Sequence, residues 1–196
     1  MDSDRGDVAE FRLSQETGGI DILTGPAGIA WQPGDTVTRG GFRAQATFVQ
    51  YAAPVGYREA YGIFVGGSDL QGPDQEYVYL LIRPTGDYLV KRRLGETTQV
   101  LVDWTPHDAV DRVVAEGDEP RNTLAIEVFG GDVGFFVNGT EVHRMSAAEA
   151  RPYGVAGVRA NHRLDILVQD WSLEPTPPVT RDAEDQEAAG LPSNAV

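Results

Sequence analysis

Three groups of residues have the types and spacing to do chemistry. The first is Lys91-Arg92-Arg93, three consecutive bases in a chain of formal net charge −14, where Lys91 is the single lysine among 16 basic residues. Strand alternation divides the run, placing Asp87, Leu89, Lys91 and Arg93 on one face and Tyr88, Val90 and Arg92 on the other. Tyr77, Tyr79, Leu81 and Arg83 share a face of the preceding strand, so in matching register Tyr79, Arg83, Lys91 and Arg93 converge. Aromatic rings beside Arg and Lys donors suit sugar hydroxyls or a carboxylated saccharide, through stacking and charge-assisted hydrogen bonds. The plain alternative is a solvated sheet face whose bases pair with the abundant acids.

The second group is Asn161-His162-Arg163-Leu164-Asp165, where a histidine and a carboxylate stand near one turn. A His162 oriented by Asp165 is a general base with an ordinary pKa near physiological pH; against it, Asn and His at a turn have a purely local explanation, and no Ser or Cys nucleophile motif lies nearby. The third is the loop from Gly66 to Glu76, whose Asp69, Asp74 and Glu76 carboxylates and flexible glycines could wrap a hard cation such as Ca²⁺, although the spacing is not that of an EF-hand. An exposed acidic loop explains the same residues. His107, His143 and His162 lack zinc-site spacing, and no other cofactor is expected. Asn138-Gly139-Thr140 matches a glycosylation acceptor, yet Asn-Gly between apolar runs is first a hairpin turn.

The elements that must position these groups are strands. Tyr77 to Arg83 and Tyr88 to Arg93 are β-branched and aromatic runs joined at Pro84-Thr85-Gly86-Asp87, a turn by composition. From Phe42 to Tyr51 the period is two: Phe42, Ala44, Ala46 and Phe48 face one way, Arg43, Gln45 and Thr47 the other. Further strands are expected at Val8 to Leu13, Ile20 to Leu23, Ile29 to Trp31, Tyr61 to Val65, Val100 to Trp104, Leu124 to Phe129, Asp132 to Val137, Thr140 to His143, Gly154 to Ala160 and Leu164 to Leu173. About twelve short strands result, with at most one helical turn at Ser146 to Ala150. The reading is an all-β, two-sheet antiparallel sandwich over 8–174, preceded by a flexible leader at 1–7 and followed by an acidic, proline-rich, disordered tail at 175–196.

Composition narrows the partners. A charge of −14 and 41% hydrophobic content describe an acidic globular domain, and long-range repulsion disfavours nucleic acid and anionic membranes as partners, leaving neutral and cationic ligands favoured by the chain as a whole. The absence of cysteine removes thiolate chemistry and any disulfide framework. No signal-peptide pattern opens the chain and no apolar stretch is long enough for a membrane helix, so the compartment stays open, as does the oligomeric state. The excess of arginine over lysine fits a GC-rich, bacterial genome.

Four segments carry a resemblance: Tyr61-Gly62-Ile63-Phe64, Asn122-Thr123-Leu124-Ala125-Ile126, Phe135-Phe136-Val137-Asn138-Gly139, and Gly157-Val158-Arg159 with Leu164 to Leu173. Together, over roughly Phe11 to Leu173, the chain resembles the concanavalin A-like lectin/glucanase superfamily, including laminin G-like domains and bacterial domains of the 3-keto-disaccharide hydrolase-like type. The resemblance implies a jelly-roll β-sandwich and leaves binders and enzymes both open. The E-x-D-x-E strand motif of family 16 glycoside hydrolases is missing; Asp74-Gln75-Glu76 lacks the second glutamate. The expectation is therefore non-catalytic binding of carbohydrate or a related small polar ligand by Tyr79, Arg83, Lys91 and Arg93. The alternatives are a glycoside-acting enzyme of the 3-keto-glycoside type using His162 and Asp165, or a structural or protein-interaction module.

Overall fold

The computed structural model describes residues 2–3, 12–16, 18–51 and 53–176. Its first strands are β1 (Asp2–Ser3), β2 (Arg12–Glu16), β3 (Gly19–Leu23), β4 (Gly28–Val37) and β5 (Phe42–Gln50). There follow β6 (Tyr61–Ser68), β7 (Glu76–Arg83), β8 (Asp87–Leu94), β9 (Thr97–Pro106) and β10 (Arg121–Phe129). The chain closes with β11 (Asp132–Val137), β12 (Thr140–Ser146), the single turn of helix α1 (Ala147–Ala150), β13 (Gly154–Ala160) and β14 (Asp165–Pro175). Two seven-stranded sheets result, one ordered β1-β4-β13-β6-β7-β8-β9 and the other β12-β11-β10-β5-β14-β3-β2, with every pairing antiparallel. This is the all-β, two-sheet antiparallel sandwich expected from the strand pattern, and it agrees with the jelly roll that the resemblance implies. We call the first the front sheet and the second the back sheet.

Alternation builds the core. Phe42, Ala44, Ala46 and Phe48 of β5 are buried against Tyr61, Ile63 and Val65 of β6 and Val78, Leu80 and Ile82 of β7. On the outer side of the back sheet, Arg43 pairs with Glu127 at 2.6 Å and Thr47 with Thr123 at 2.9 Å, cross-strand contacts of the kind a wet face favours. The helical turn is capped by Ser146, whose hydroxyl accepts from the Glu149 amide. Among the described residues, no helix is long and apolar enough to cross a membrane.

Boundaries differ where the signal was interrupted. β4 continues through Pro33-Gly34 to Val37, because its pairing with β13 breaks register between Trp31 and Thr36 and the proline falls in that bulged stretch. Within the expected leader, Asp2–Ser3 pairs with Gly28 and Ile29. The strand expected from Val8 lies mostly outside the described residues, and the observed one is Arg12–Glu16. The expected tail begins inside β14; its remainder from 177 lies outside the described residues.

One buried amide ties the parts together. Asn122 is 0% exposed; its Oδ1 accepts from the Asp111 amide and from Asn138 Nδ2, both at 2.8 Å, and its Nδ2 donates to the Asp111 carbonyl at 2.9 Å. Nearby, burial pushes the fully enclosed Tyr61 hydroxyl far above the ordinary tyrosine pKa, an effect that the Asn122 side chain opposes. Asn138, at φ +49° in the β11–β12 turn, accepts from the Thr123 amide at 2.7 Å and donates to the Ala109 carbonyl at 2.8 Å. The sequence's Asn-Gly signal is thus both a turn and a clamp on the 109–111 loop. Asn122→Ala should lower stability by about 3 kcal/mol, since it strands several buried partners. Urea unfolding checks this; a loss below about 1 kcal/mol would mean the network is dispensable.

Candidate functional site

The outer side of the front sheet carries an unusual second apolar layer. Register places Trp31 of β4, Gly157 of β13, Phe64 of β6, Tyr79 of β7 and Lys91 of β8 in one row, each paired directly with the next. Directly paired residues share a face, so the row runs from indole to ammonium across five strands, roughly 19 Å at the usual strand spacing. A parallel row holds Ile29, Arg159, Gly62, Leu81 and Leu89, and beside it Tyr77 pairs with Arg93.

Two glycines make room for the large groups. A Cβ on Gly157 would stand 2.7 Å from the Phe64 ring, so the ring lies where a side chain would otherwise be. Gly62, the neighbour of Arg159 on β6, presents no side chain, and the arginine extends over it toward β7. Its Nη1 donates to the Tyr77 hydroxyl at 2.7 Å, and its Cζ lies 5.1 Å from the Tyr79 ring centroid. Phe64, Tyr77 and Tyr79 continue the stack, with centroids 5.0 and 5.6 Å apart. Tyr79 is only 4% exposed and Arg159 7%, so the phenols support the guanidinium from beneath.

The four residues expected to bind ligand share this face, but they do different work. Lys91 and Arg93 are half-buried, opposite Tyr79 and Tyr77. Arg83 is committed elsewhere: its Nε donates to Asp87 at 2.9 Å and its guanidinium sits 4.3 Å above the Trp104 ring. Arg92 points to the opposite side, as alternation requires, and is buried with its Nε 3.9 Å from Glu76. Arg159, Trp31 and Phe64 were missed as site residues; alternation alone puts Arg159 opposite the inward Val158, but not beside Tyr79.

At the Trp31 end lies a cavity of about 300 Å³, lined by Trp31, Pro33, Ser68, Asp69, Gln71 and Val155 among others. Asp69, at φ +47°, accepts from the Asp74 amide at 3.1 Å. Glu76 instead bridges Arg151 at 3.3 Å and Arg92. Asp69 and Glu76 of the expected calcium site thus meet different partners, and among the described residues no group of three or more acidic or histidine side chains gathers to hold a metal.

His162 and Asp165 are not joined. The His162 Nδ1 stands 3.8 Å from Glu59, while Asp165 opens β14 opposite Leu23. A cavity of about 420 Å³ is lined by Asp165, Arg12, Thr24 and Arg163 but not by His162. Partial desolvation, then Asp21, raises the Asp165 carboxyl above its ordinary pKa.

No protein-family model matches the chain, and no curated protein matches it in sequence. Solved structures do. A Bacillus subtilis protein of unknown function with a galectin-like fold matches at TM-score 0.58 and 12% identity, covering 85% of this chain and 86% of its own. The β-glucanase of Bacillus licheniformis matches at 0.53 and 8% identity, over 87% and 84%. CG-16, a homodimeric agglutinin from chicken liver, matches at 0.51 and 10%, over 76% and 99%. The fold is a concanavalin A-like jelly roll. At these identities the likeness extends to the fold alone.

The Arg83–Asp87 bond makes a pH test. Arg83 first, then the Thr85 hydroxyl, holds the Asp87 carboxyl below its ordinary value against the opposing effect of burial. Because the folded-state pKa is depressed, this contributes stability present above the unfolded value and lost as pH falls through the folded one. Asp87→Asn should cost about 1–3 kcal/mol at pH 7. The gap in urea midpoint between wild type and variant should close as pH drops below about 4; a gap unchanged from neutral to acid pH would sink the assignment.

Proposed function

We propose that the protein is a non-catalytic saccharide-binding jelly roll whose ligand lies on the outer side of the front sheet, along the row from Trp31 to Lys91. One observation carries this: the row joins a half-buried indole, beside a cavity with polar residues in its wall, to the half-buried Lys91 that pairs with Tyr79. A pyranose has apolar C–H faces and a rim of hydroxyls, so it is matched by an indole flanked by donors and acceptors. Trp31 supplies the face, Ser68, Asp69 and Gln71 the polar wall, and Lys91 and Arg93 the donors at the far end. Tyr79 acts on the ligand through Arg159, which lies above it. The jelly-roll neighbours, an agglutinin and a glucanase among them, are compatible with either binding or turnover and do not choose between them.

The alternative of a glycoside-acting enzyme gains little from the His162 region, where His162 and Asp165 face different partners and do not line one cavity. Binding isotherms against a panel of neutral and acidic oligosaccharides, with the same glycans followed for products, decide the matter. We expect saturable binding without turnover, weakened about tenfold in both Trp31→Ala and Lys91→Ala, a loss of about 1.4 kcal/mol, and unchanged in His162→Ala. Failure of every glycan to bind overturns the reading. Turnover abolished by His162→Ala replaces it with the enzyme.

A further inference from the structure

We propose that the edge of the sandwich where β4 faces β3 and β2 is a further binding site, for a small cationic amphiphile whose ammonium group meets Asp35; this stands apart from the saccharide reading. The back sheet overhangs the front one there. Past Ile29, β4 is paired with β13 alone among the described residues, whereas the back sheet continues from β14 through β3 to β2. Ile20 and Ile22 of β3 pair directly with Val168 and Ile166 of β14, and Leu13 of β2 pairs with Ile22, so all of them lie on the core side. Leu13 nevertheless stays 47% exposed and Ile20 42%. Large apolar side chains that face the core and remain wet mark a place where the core is unfilled.

That place is a cavity of about 290 Å³, which these side chains line together with Ala30 and Val158 of the front sheet. A cavity roughly half this size with a similar lining holds benzene, so this one takes an alkyl chain of roughly eight carbons. Part of its wall is different in kind. Two of the chain's three tryptophans, Trp31 and Trp171, line it with Asp35. Trp171 Nε1 donates to Asp35 Oδ2 at 2.8 Å, which ties β14 to β4 across the edge and fixes the carboxylate beside the cavity. An indole donor is neutral, and among the described residues the Asp35 carboxylate has no ion pair and no other hydrogen bond. Its charge is left for a ligand.

Indoles and a carboxylate beside an apolar cavity suit an alkylammonium: the rings attract a cation through their negative faces, and the carboxylate supplies the counter-charge. The whole chain favours the same sign. At a formal net charge of −14 it draws cations and repels a fatty acid of equal length, whose carboxylate would meet Asp35 as a like charge. A neutral alcohol would fill the cavity and leave Asp35 without a counter-ion.

The test follows the methyl resonances of Leu13, Ile20 and Val168 while octyltrimethylammonium, octanol and octanoate are each titrated at about 0.15 M salt. Saturable one-to-one binding of octyltrimethylammonium is expected, at least about tenfold tighter than octanol, equal to about 1.4 kcal/mol or more, with octanoate weakest. Asp35→Asn keeps an acceptor for Trp171 and removes the charge; it should bring the ammonium to within about twofold of octanol and leave octanol itself unchanged within about twofold. Ile20→Ala, at a position already half exposed, should weaken both ligands alike. Trp31, which the saccharide reading uses, is kept in every variant. Octanol or octanoate binding as tightly as the ammonium, or ammonium affinity untouched by Asp35→Asn, overturns the proposal. So does the absence of any saturable methyl shift, including the case in which sedimentation shows a second copy of the chain covering this edge.

Discussion

The sandwich depends on a single buried amide having all its hydrogen bonds. Asn122 sits on β10, yet its partners lie on the 109–111 loop and the β11–β12 turn. A primary amide enclosed by apolar side chains is costly unless satisfied, so it tolerates only the arrangement that satisfies it. That arrangement fixes the 109–111 loop and the β11–β12 turn against β10. Tyr61 begins β6, and its inward position sets the parity of the whole strand: Ile63 and Val65 inward, Gly62 and Phe64 outward. Through direct pairing the same parity passes to β7, β8 and β13, which is why Tyr79, Lys91 and Arg159 emerge together.

On the outer side, absence of side chains matters as much as presence. Close-packed large groups need somewhere to lie, and Gly157 and Gly62 leave that space directly beside the two most crowded positions. Without Gly157 the Phe64 ring could not settle over β13; at Gly62 a Cβ would instead strike the Leu80 carbonyl of β7. The polar contacts then sort the arginines by role. Arg83 is fixed by a carboxylate and an indole, Arg92 faces inward toward Glu76, and Arg159 donates to the Tyr77 hydroxyl and lies over the Tyr79 ring.

Much of this was legible in the sequence where the information is local. Period-two alternation correctly split Lys91 and Arg93 from Arg92, the Pro-Thr-Gly-Asp turn paired β7 with β8, and Asn138-Gly139 marked a hairpin. What remained hidden is non-local. Nothing in Gly154 to Ala160 says that its strand lies between β4 and β6, about ninety residues earlier in the chain for β6, so neither Arg159 nor Trp31 could be placed beside Tyr79. Pro33-Gly34 concealed the length of β4, because a breaker in a bulged stretch looks like the end of a strand. The acidic loop shows a related limit: Asp69 and Glu76 are near in sequence, but Asp69 accepts from the Asp74 amide while Glu76 meets two arginines, contacts that sequence spacing does not give.

The charge distribution joins these strands of argument. An acidic chain can disperse its few bases to neutralise its many acids, and on the back sheet it does so: Arg43 meets Glu127, and Arg144 meets Glu141. On the front sheet the aromatic side chains enter as well: Arg83 takes both Asp87 and the Trp104 ring, while Arg159 donates to the Tyr77 hydroxyl and lies over the Tyr79 ring. Rings and phenols orient a guanidinium inside a layer that is otherwise apolar, so the charged group is accommodated without disturbing the packing of Phe64, Tyr77 and Leu81 around it.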